Sequence, residues 1–214
     1  MQYDQGLATL ESRAKLATAV LWAFVAVAAL TGLGEALEAS GSLDIATDTG
    51  PLALAVGLAY VGFTLVFLVS VVVVAMWIHR AHANLRDAGA DGLQFSPGWA
   101  VGWYFIPFAN LVMPFQAMRE LWNASHGNAD PFGGSAPPVV KWWWAAWIVG
   151  NILSNLGMRI LLMDEIDASS VTVGNSVSFA GSMLAIVAAV LLARIIHSVT
   201  QAQRGGIAAV GVFA

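Results

Sequence analysis

The sequence predicts an all-α integral membrane protein: a four-helix bundle plus one broken helix, either re-entrant or interfacial, on the cytoplasmic side. Of its 214 residues, 58% are hydrophobic and only 10% are charged, whereas roughly a quarter of the residues of a soluble domain are charged. Four apolar stretches reach the ~20 residues that a helix needs to cross a bilayer. A fifth apolar stretch is interrupted by prolines. We expect residues 1–214 to form a single membrane domain.

The four predicted spans lie at about residues 16–37, 52–79, 142–163 and 177–197. The helical pattern of the second span continues to Gly89, a residue type that commonly follows the last turn of a helix. We therefore expect this helix to project into the cytoplasm. Residues 124–139 are rich in Gly, Ser and Pro and lack periodicity, which predicts a flexible linker before the third span.

The last predicted span carries a small residue at every fourth position, at Gly181, Ala185, Ala189 and Ala193. Positions four apart lie on one face of a helix. A face without large side chains allows another helix backbone to approach closely. This stripe therefore predicts a tight helix–helix contact.

The proline-interrupted segment covers residues 95–122 and contains Pro97, Pro107 and Pro114. A proline inside a helix removes a backbone donor and clashes with the preceding turn. We therefore expect two short helices that meet near Pro107, dock against the cytoplasmic half of the second span and place Asn110 beside the break. Residues 99–118 are the predicted re-entrant or interfacial part.

The positions of the nine basic residues distinguish two topologies. If the broken segment returns to the side it came from, only Arg159 lies near the outer face, so eight of the nine lie inside. If the segment spans, the division becomes five against four. Because cytoplasmic loops carry the excess of Lys and Arg, we expect four spans with both termini cytoplasmic. The outer connections are then acidic: Glu38, Asp44 and Asp48 in one, and Asp164, Glu165 and Asp167 in the other.

Specific motifs occupy the middle of the chain. They are Trp77, Arg80, His82 and Asn84, then GLQFSPGW at 92–99, IPFAN at 106–110 and PFQAMRELW at 114–122. With these motifs the chain resembles a bacterial family of polytopic membrane proteins, the domain of unknown function 4328. The resemblance covers most of the chain and implies a membrane location. It implies no activity.

A first group of candidate residues lies at the cytoplasmic end of the second span and on the broken segment. Trp77, Arg80 and Asn84 share one helical face, because they are spaced i, i+3 and i+7. As a site, the group forms a ligand or partner surface. As structure, it is a set of hydrogen bonds and an ion pair, such as Arg80 with Glu120, that holds the broken helix. The full group is Trp77, Arg80, His82, Asn84, Asn110, Arg119 and Glu120.

A second group is a polar stripe in the third span, formed by Asn151, Asn155 and Arg159 at successive steps of four. Polar groups within a span normally face the bundle interior. Glu35 lies at a depth similar to that of Arg159, so we expect these two residues to pair. The stripe is either a solute path or a set of interhelical hydrogen bonds.

Other site classes receive little support. His79 and His82 have a spacing that could share a metal, but no cysteine exists and no acidic ligand completes the set, so we predict no metal and no cofactor. Ser182 follows Gly181 without the spaced glycines of a nucleophile turn. Neither a phosphate-binding glycine loop nor a basic aromatic patch is found, which argues against nucleic acid as a partner.

Three classes of function remain. The leading one is a non-catalytic protein of the bacterial inner membrane that acts as an accessory, scaffold or lipid-binding module. The alternative is a small oligomeric transporter or channel, supported by the broken helix and the polar stripe. The third, an intramembrane hydrolase, would depend on Ser182 or the histidines. The expected partners are membrane lipids and either a larger membrane complex or a second copy of the chain.

Overall fold

The structure is a computed structural model that describes residues 2–163 and 167–210, with side chains for residues 4–163 and 167–206. It is all-helical, and its described residues include no strand. Four helices are long: α1 (Gln2–Ala39), α2 (Pro51–Asp87), α5 (Pro138–Leu161) and α6 (Ala168–Val210). Two are short, α3 (Pro97–Gly102) and α4 (Met113–Ser125), and between them lie 3-10 turns at Trp103–Phe105 and Ala109–Leu111.

Among the described residues, three helices are long and apolar enough to cross a membrane: residues 4–39, 51–87 and 168–206. The chain is therefore a membrane protein. The remaining predicted span, residues 142–163, falls mainly on α5, which carries the polar residues Asn151, Asn155 and Arg159. The acidic residues Asp164 and Glu165 lie outside the described residues.

The end of α2 has the geometry that Gly89 predicted. The helix ends at Asp87, and Gly89 follows with a φ of +72°. The N–H of Ala90 donates to the carbonyl of Leu85 at 3.0 Å. A residue with a left-handed backbone conformation after the last turn allows the following N–H groups to bond to the last carbonyls of the helix.

The chain divides into two compact units. One contains the described residues of Met1–Val20, Ser70–Trp142 and Leu191–Ala214, and the other contains Leu21–Val69 and Trp143–Val190. In the first unit the fully buried side chains include Leu10, Trp77, Met118, Leu121 and Ile195. This core connects α1, α2, α4 and α6, and it supports the broken segment.

The second unit is held by close packing of glycines and by aromatic side chains. A Cβ at Gly181 of α6 would lie 2.8 Å from the backbone N of Ser154 and 3.0 Å from the carbonyl O of Gly150, both on α5. This is the tight contact that the small-residue stripe predicted. The ring of Phe24 lies 5.1 Å from that of Phe63.

The broken segment is interrupted where Pro107 predicted a break. Helix α3 gives way to a 3-10 turn, and Phe108 adopts a φ of +63°, which is unusual for a residue with a side chain. Pro97 and Pro114 break no helix and instead occupy the first turns of α3 and α4. Proline is tolerated there because the first N–H groups of a helix have no intrahelical acceptor.

Candidate functional site

Asn84 is the centre of a buried polar network in the first unit. Its side chain is 1% exposed. The carbonyl oxygen Oδ1 accepts from Nε of Arg80 at 2.6 Å, while Nδ2 donates to the carbonyl O of Gly6 and to Oε1 of Gln203, each at 3.4 Å. Asn84 therefore connects α2 to both α1 and α6.

Gln203 extends this network to α4. Its Nε2 donates to the carbonyl O of Ala81 and to Oγ of Ser125, each at 3.0 Å. A further bond runs from Nε1 of the buried Trp77 to Oγ1 of Thr200 at 3.2 Å. Sequence reasoning missed Gln203, Ser125 and Thr200, because ordinary polar residues near the end of a helix give no signal of burial.

His82 belongs to α2, and its side chain lies against α4 and is 1% exposed. Its Nδ1 is 2.9 Å from the carbonyl O of Ile78, one turn earlier in α2. Its Nε2 faces the backbone of Ala117 in α4 without meeting hydrogen-bond geometry with any described residue. The ring therefore fills the contact between these helices.

Glu120 fixes the start of the broken segment to α4. Its side chain is fully buried, and its two carboxylate oxygens accept the backbone N–H groups of Gln94 at 2.6 Å and Phe95 at 3.0 Å. Burial raises the pKa of Glu120, while these amides and the charges of Arg86 and Arg119 act in the opposite direction. The carboxylate thus holds residues 94 and 95 in place.

The expected ion pair between Arg80 and Glu120 is not formed. Arg80 pairs with Asp87, two turns further along the same helix. The prediction was wrong because Glu120 is turned toward backbone amides. The residue of α2 that contacts the start of the broken segment is Arg86, whose Nη2 donates to the carbonyl O of Phe95 at 3.0 Å.

The structure gives different surroundings to Asn110 and Arg119, which the sequence analysis had placed in one group. Asn110 follows the break, as expected, but it is exposed, and its N–H donates to the carbonyl O of Ile106 at 3.0 Å. The Cζ of Arg119 lies 5.3 Å above the ring of Phe132. Its Nε is buried without a hydrogen-bond partner among the described residues. Asn110 therefore does not belong to the polar network.

The connection between α4 and α5 is tied back to α4 by Asn123. This side chain is 5% exposed, and its Nδ2 donates to the carbonyl O atoms of Pro131 at 3.1 Å and Ser135 at 3.5 Å. Phe132 follows Pro131 and packs its ring 6.2 Å from that of Phe95. Sequence reasoning saw only a linker here.

An open cleft of about 400 Å³ lies beside these contacts. Its apolar wall is formed by Phe95, Trp99, Trp103, Met113 and Phe132. The rings of Trp99 and Trp103 are 4.9 Å apart. Its polar residues are Arg86, Gln94, Ser96 and Gln116.

A family model described as "Domain of unknown function (DUF4328)" matches residues 38–201. The chain belongs to this family. The match includes every residue that lines the cleft, together with Asn84 and Glu120, and ends just before Gln203. No curated protein and no solved structure matches the chain. The family description assigns no activity.

The polar stripe of α5 differs from its prediction. Asn151, Asn155 and Arg159 are all exposed, so the stripe does not face the interior of its unit. The two asparagines donate back to the carbonyls of Trp147 at 2.7 Å and Asn151 at 2.8 Å. The interior of the unit is instead closed by the glycine contacts of α5 and α6.

The expected pair between Glu35 and Arg159 is not formed either. Glu35 is buried at 8% exposure, and its Oε2 has no hydrogen-bond partner among the described residues. The hydroxyl of Ser182 faces this carboxylate. The four histidines all belong to the other unit, so no imidazole base accompanies Ser182 within its own unit.

The histidines are not arranged as metal ligands in the described part of the chain. No group of three or more His, Asp or Glu side chains there could hold a metal ion. His79 is exposed. His126 stacks on Trp122 with ring centroids 4.4 Å apart, and its Nε2 lies 3.1 Å from Oγ of Ser198.

Proposed function

We propose that this protein is a non-catalytic, lipid-binding membrane protein of the bacterial inner membrane that inserts its broken segment into the bilayer from the cytoplasmic side. The observation that carries the proposal is the apolar tip of that segment. Its large side chains are exposed, with Phe108 at 86%, and the others are Phe105, Leu111 and Val112.

Lipid is the environment that fits this tip. Burying one such side chain in an apolar phase instead of water is worth roughly 1.5–3 kcal/mol. A contiguous apolar surface rimmed by polar residues marks a membrane or partner contact. The same chain carries three helices apolar enough to span a bilayer, so the hydrocarbon phase is available to the tip.

The tip also fits a re-entrant geometry. Chain reversal at membrane depth leaves backbone groups unpaired unless local turns satisfy them. Here the N–H of Asn110 donates to Ile106 at 3.0 Å, and that of Leu111 donates to Phe108 at 3.2 Å. These bonds let the chain turn back between α3 and α4 with few free donors.

A non-catalytic role is supported by how the candidate polar side chains are used. Hydrogen bonds to other groups of the protein are formed by the side chains of Asn84, Gln203 and Glu120. A catalytic group needs a free face toward a substrate. Asn84 joins α2 to α1 and α6, and Gln203 joins α6 to α2 and α4. Glu120 holds residues 94 and 95 against α4.

The proposed topology has four spans, with α5 as the third, and both termini cytoplasmic. It rests on the eight basic residues that this arrangement places inside. The broken segment then starts and ends at the cytoplasmic headgroups. We place the whole chain in one membrane domain.

A depth measurement tests this function. The chain contains no cysteine, so Phe108→Cys gives a single site for a spin label, and exposed Asp91→Cys gives the matched control. In lipid nanodiscs we expect the label at 108 to be relaxed by oxygen and shielded from a water-soluble nickel complex, and the label at 91 to show the reverse. Equal nickel access at both positions would contradict the proposal.

The alternative function, a small oligomeric transporter or channel, is favoured by the exposed stripe on α5. Polar side chains in a span are unfavourable against lipid, and a second copy of the chain would cover them. Asn151→Leu together with Asn155→Leu should then lower the oligomeric mass in detergent. A monomeric wild-type protein would remove this alternative.

A further inference from the structure

We infer that the cleft between the end of α2, α3 and the start of α4 binds one anionic amphiphile, with its phosphate or carboxylate head at Arg86 and its acyl chain across Trp99 and Trp103. This inference rests on the proposed lipid-binding function and assigns it a specific site. The ligand class follows from the two walls of the cleft.

The polar wall favours an anion. Arg86 carries five N–H donors, and the bond from its Nη2 to Phe95 accounts for one of them. Gln94 and Gln116 add side-chain amides, and none of the residues lining the cleft is acidic. The nearby Glu120 directs both carboxylate oxygens to backbone amides. A guanidinium presented this way matches the geometry of a phosphate or carboxylate.

The apolar wall favours a hydrocarbon chain. Trp99 is 55% exposed, although it is one of the largest apolar side chains. Trp103 lies against it, and Met113 and Phe132 continue the surface. Indoles and a flexible thioether accommodate an acyl chain without a fixed shape. The volume of about 400 Å³ lies within the ~300–1,000 Å³ range of small-molecule sites.

The cleft is built from fixed parts. Ser96 accepts the N–H of Trp99 at 3.3 Å and so holds the start of α3. Arg86 and Glu120 hold Phe95 from its two sides, and Arg119 stacks on Phe132. A preformed site loses less conformational entropy when a ligand binds. The polar contacts of the broken segment therefore serve to keep this cleft open.

Native mass spectrometry with lipids of matched acyl chains tests the assignment. We expect the delipidated protein to bind phosphatidylglycerol more tightly than zwitterionic phosphatidylcholine. Arg86→Gln should weaken phosphatidylglycerol binding about tenfold, the loss expected for one charge-assisted contact. Lys15→Gln, an exposed basic residue outside the cleft, should leave the binding unchanged.

Because Arg86→Gln also removes a bond to Phe95, a second variant fills the cleft and keeps the charge. Met113→Trp should reduce binding while Arg86 remains. Oleate serves as the second ligand: oleate binding without phosphatidylglycerol binding identifies a free fatty acid as the source, and the reverse identifies a bilayer lipid. Wild-type affinity in both Arg86→Gln and Met113→Trp would overturn the site.

The depth measurement at Phe108 keeps the two proposals distinguishable. If both cleft variants bind lipid like wild type and the label at 108 still lies in hydrocarbon, the cleft assignment is wrong and the inserted tip stands. If the label lies in water, the lipid-binding function itself fails.

Discussion

Asn84 is the residue through which three helices of one unit are joined. It is almost fully buried, and its amide contacts Arg80 of α2, Gly6 of α1 and Gln203 of α6. Buried polar groups are costly when one partner is removed, because the remaining donors and acceptors stay away from water. A single amide therefore influences how α1 and α6 pack on α2.

Asn84→Ala should destabilise the protein by about 2 kcal/mol or more, since it leaves several buried polar atoms unpaired. The matched control is Asn110→Ala, which removes the same side chain from an exposed position and should change stability by no more than about 0.5 kcal/mol. Thermal unfolding in detergent measures both. Similar losses for the two variants would mean that the Asn84 network contributes little.

Glu120 predicts a pH dependence. Its pKa is raised from 4.5, primarily by burial, so the folded protein binds this proton more readily than the unfolded chain. The stabilisation is therefore full below about pH 4.5 and is lost as the pH rises through the raised pKa. Glu120→Gln remains neutral, so its stability should not show this decrease.

The measurement is the difference in unfolding free energy between wild type and Glu120→Gln across this pH range. Wild type should lose stability relative to the variant as the pH rises. A difference that stays constant, or that changes in favour of wild type, would contradict burial as the dominant influence on this carboxyl.

Sequence reasoning found which residues share a face of α2 but not their partners on other helices. The spacing of Trp77 and Asn84 placed both on one face, and both contact α6. The predicted ion pair between Arg80 and Glu120 was wrong, because residue spacing does not show that the Glu120 carboxylate accepts backbone N–H groups. Gln203 and Asn123 were missed, because burial of an amide depends on tertiary packing.

At the scale of elements, the prolines had two different effects. Pro107 lies between two 3-10 turns and interrupts the segment, whereas Pro97 and Pro114 start helices. The sequence predicted the break because an interior proline excludes a continuous helix. It did not predict the positive φ at Phe108, because that conformation is imposed by the surrounding turn.

The glycine contact between α5 and α6 gives a prediction at this scale. Gly181→Ala places a Cβ 2.8 Å from the backbone N of Ser154, so the helices must separate, at a cost of about 1–3 kcal/mol. Gly57→Ala is the control, since a Cβ there meets nothing within 4 Å. It should be neutral or stabilising by up to about 1 kcal/mol. Thermal unfolding of the two variants tests this difference, and equal effects would contradict the close packing.

The polar stripe shows where element-scale reasoning failed. The periodicity of Asn151, Asn155 and Arg159 correctly placed them on one face of α5, but that face is exposed. Polar groups in a span normally point inward, but here the face of α5 that packs on α6 is the one that carries Gly150 and Gly157, because these residues allow the two helices to approach closely. A pattern defines a face, and packing decides where that face points.

At the scale of the whole molecule, composition predicted an all-helical membrane protein, and three helices meet the length and hydropathy of a span. Membership of the DUF4328 family agrees with the motifs in residues 77–122. The cleft had no signal in the sequence, because its wall combines residues from α2, α3, α4 and the following linker.

The re-entrant topology is the central claim, and cysteine accessibility on both sides of the broken segment tests it most directly. Asp91→Cys and Ser135→Cys flank the segment, and both positions are exposed. Ser42→Cys, in the connection after α1, is the control for the outer face. In intact spheroplasts an impermeant thiol reagent should label position 42 and leave 91 and 135 unlabelled until the membrane is opened. Labelling of 135 but not 91 from the outside would show that the segment crosses the bilayer and would contradict the account.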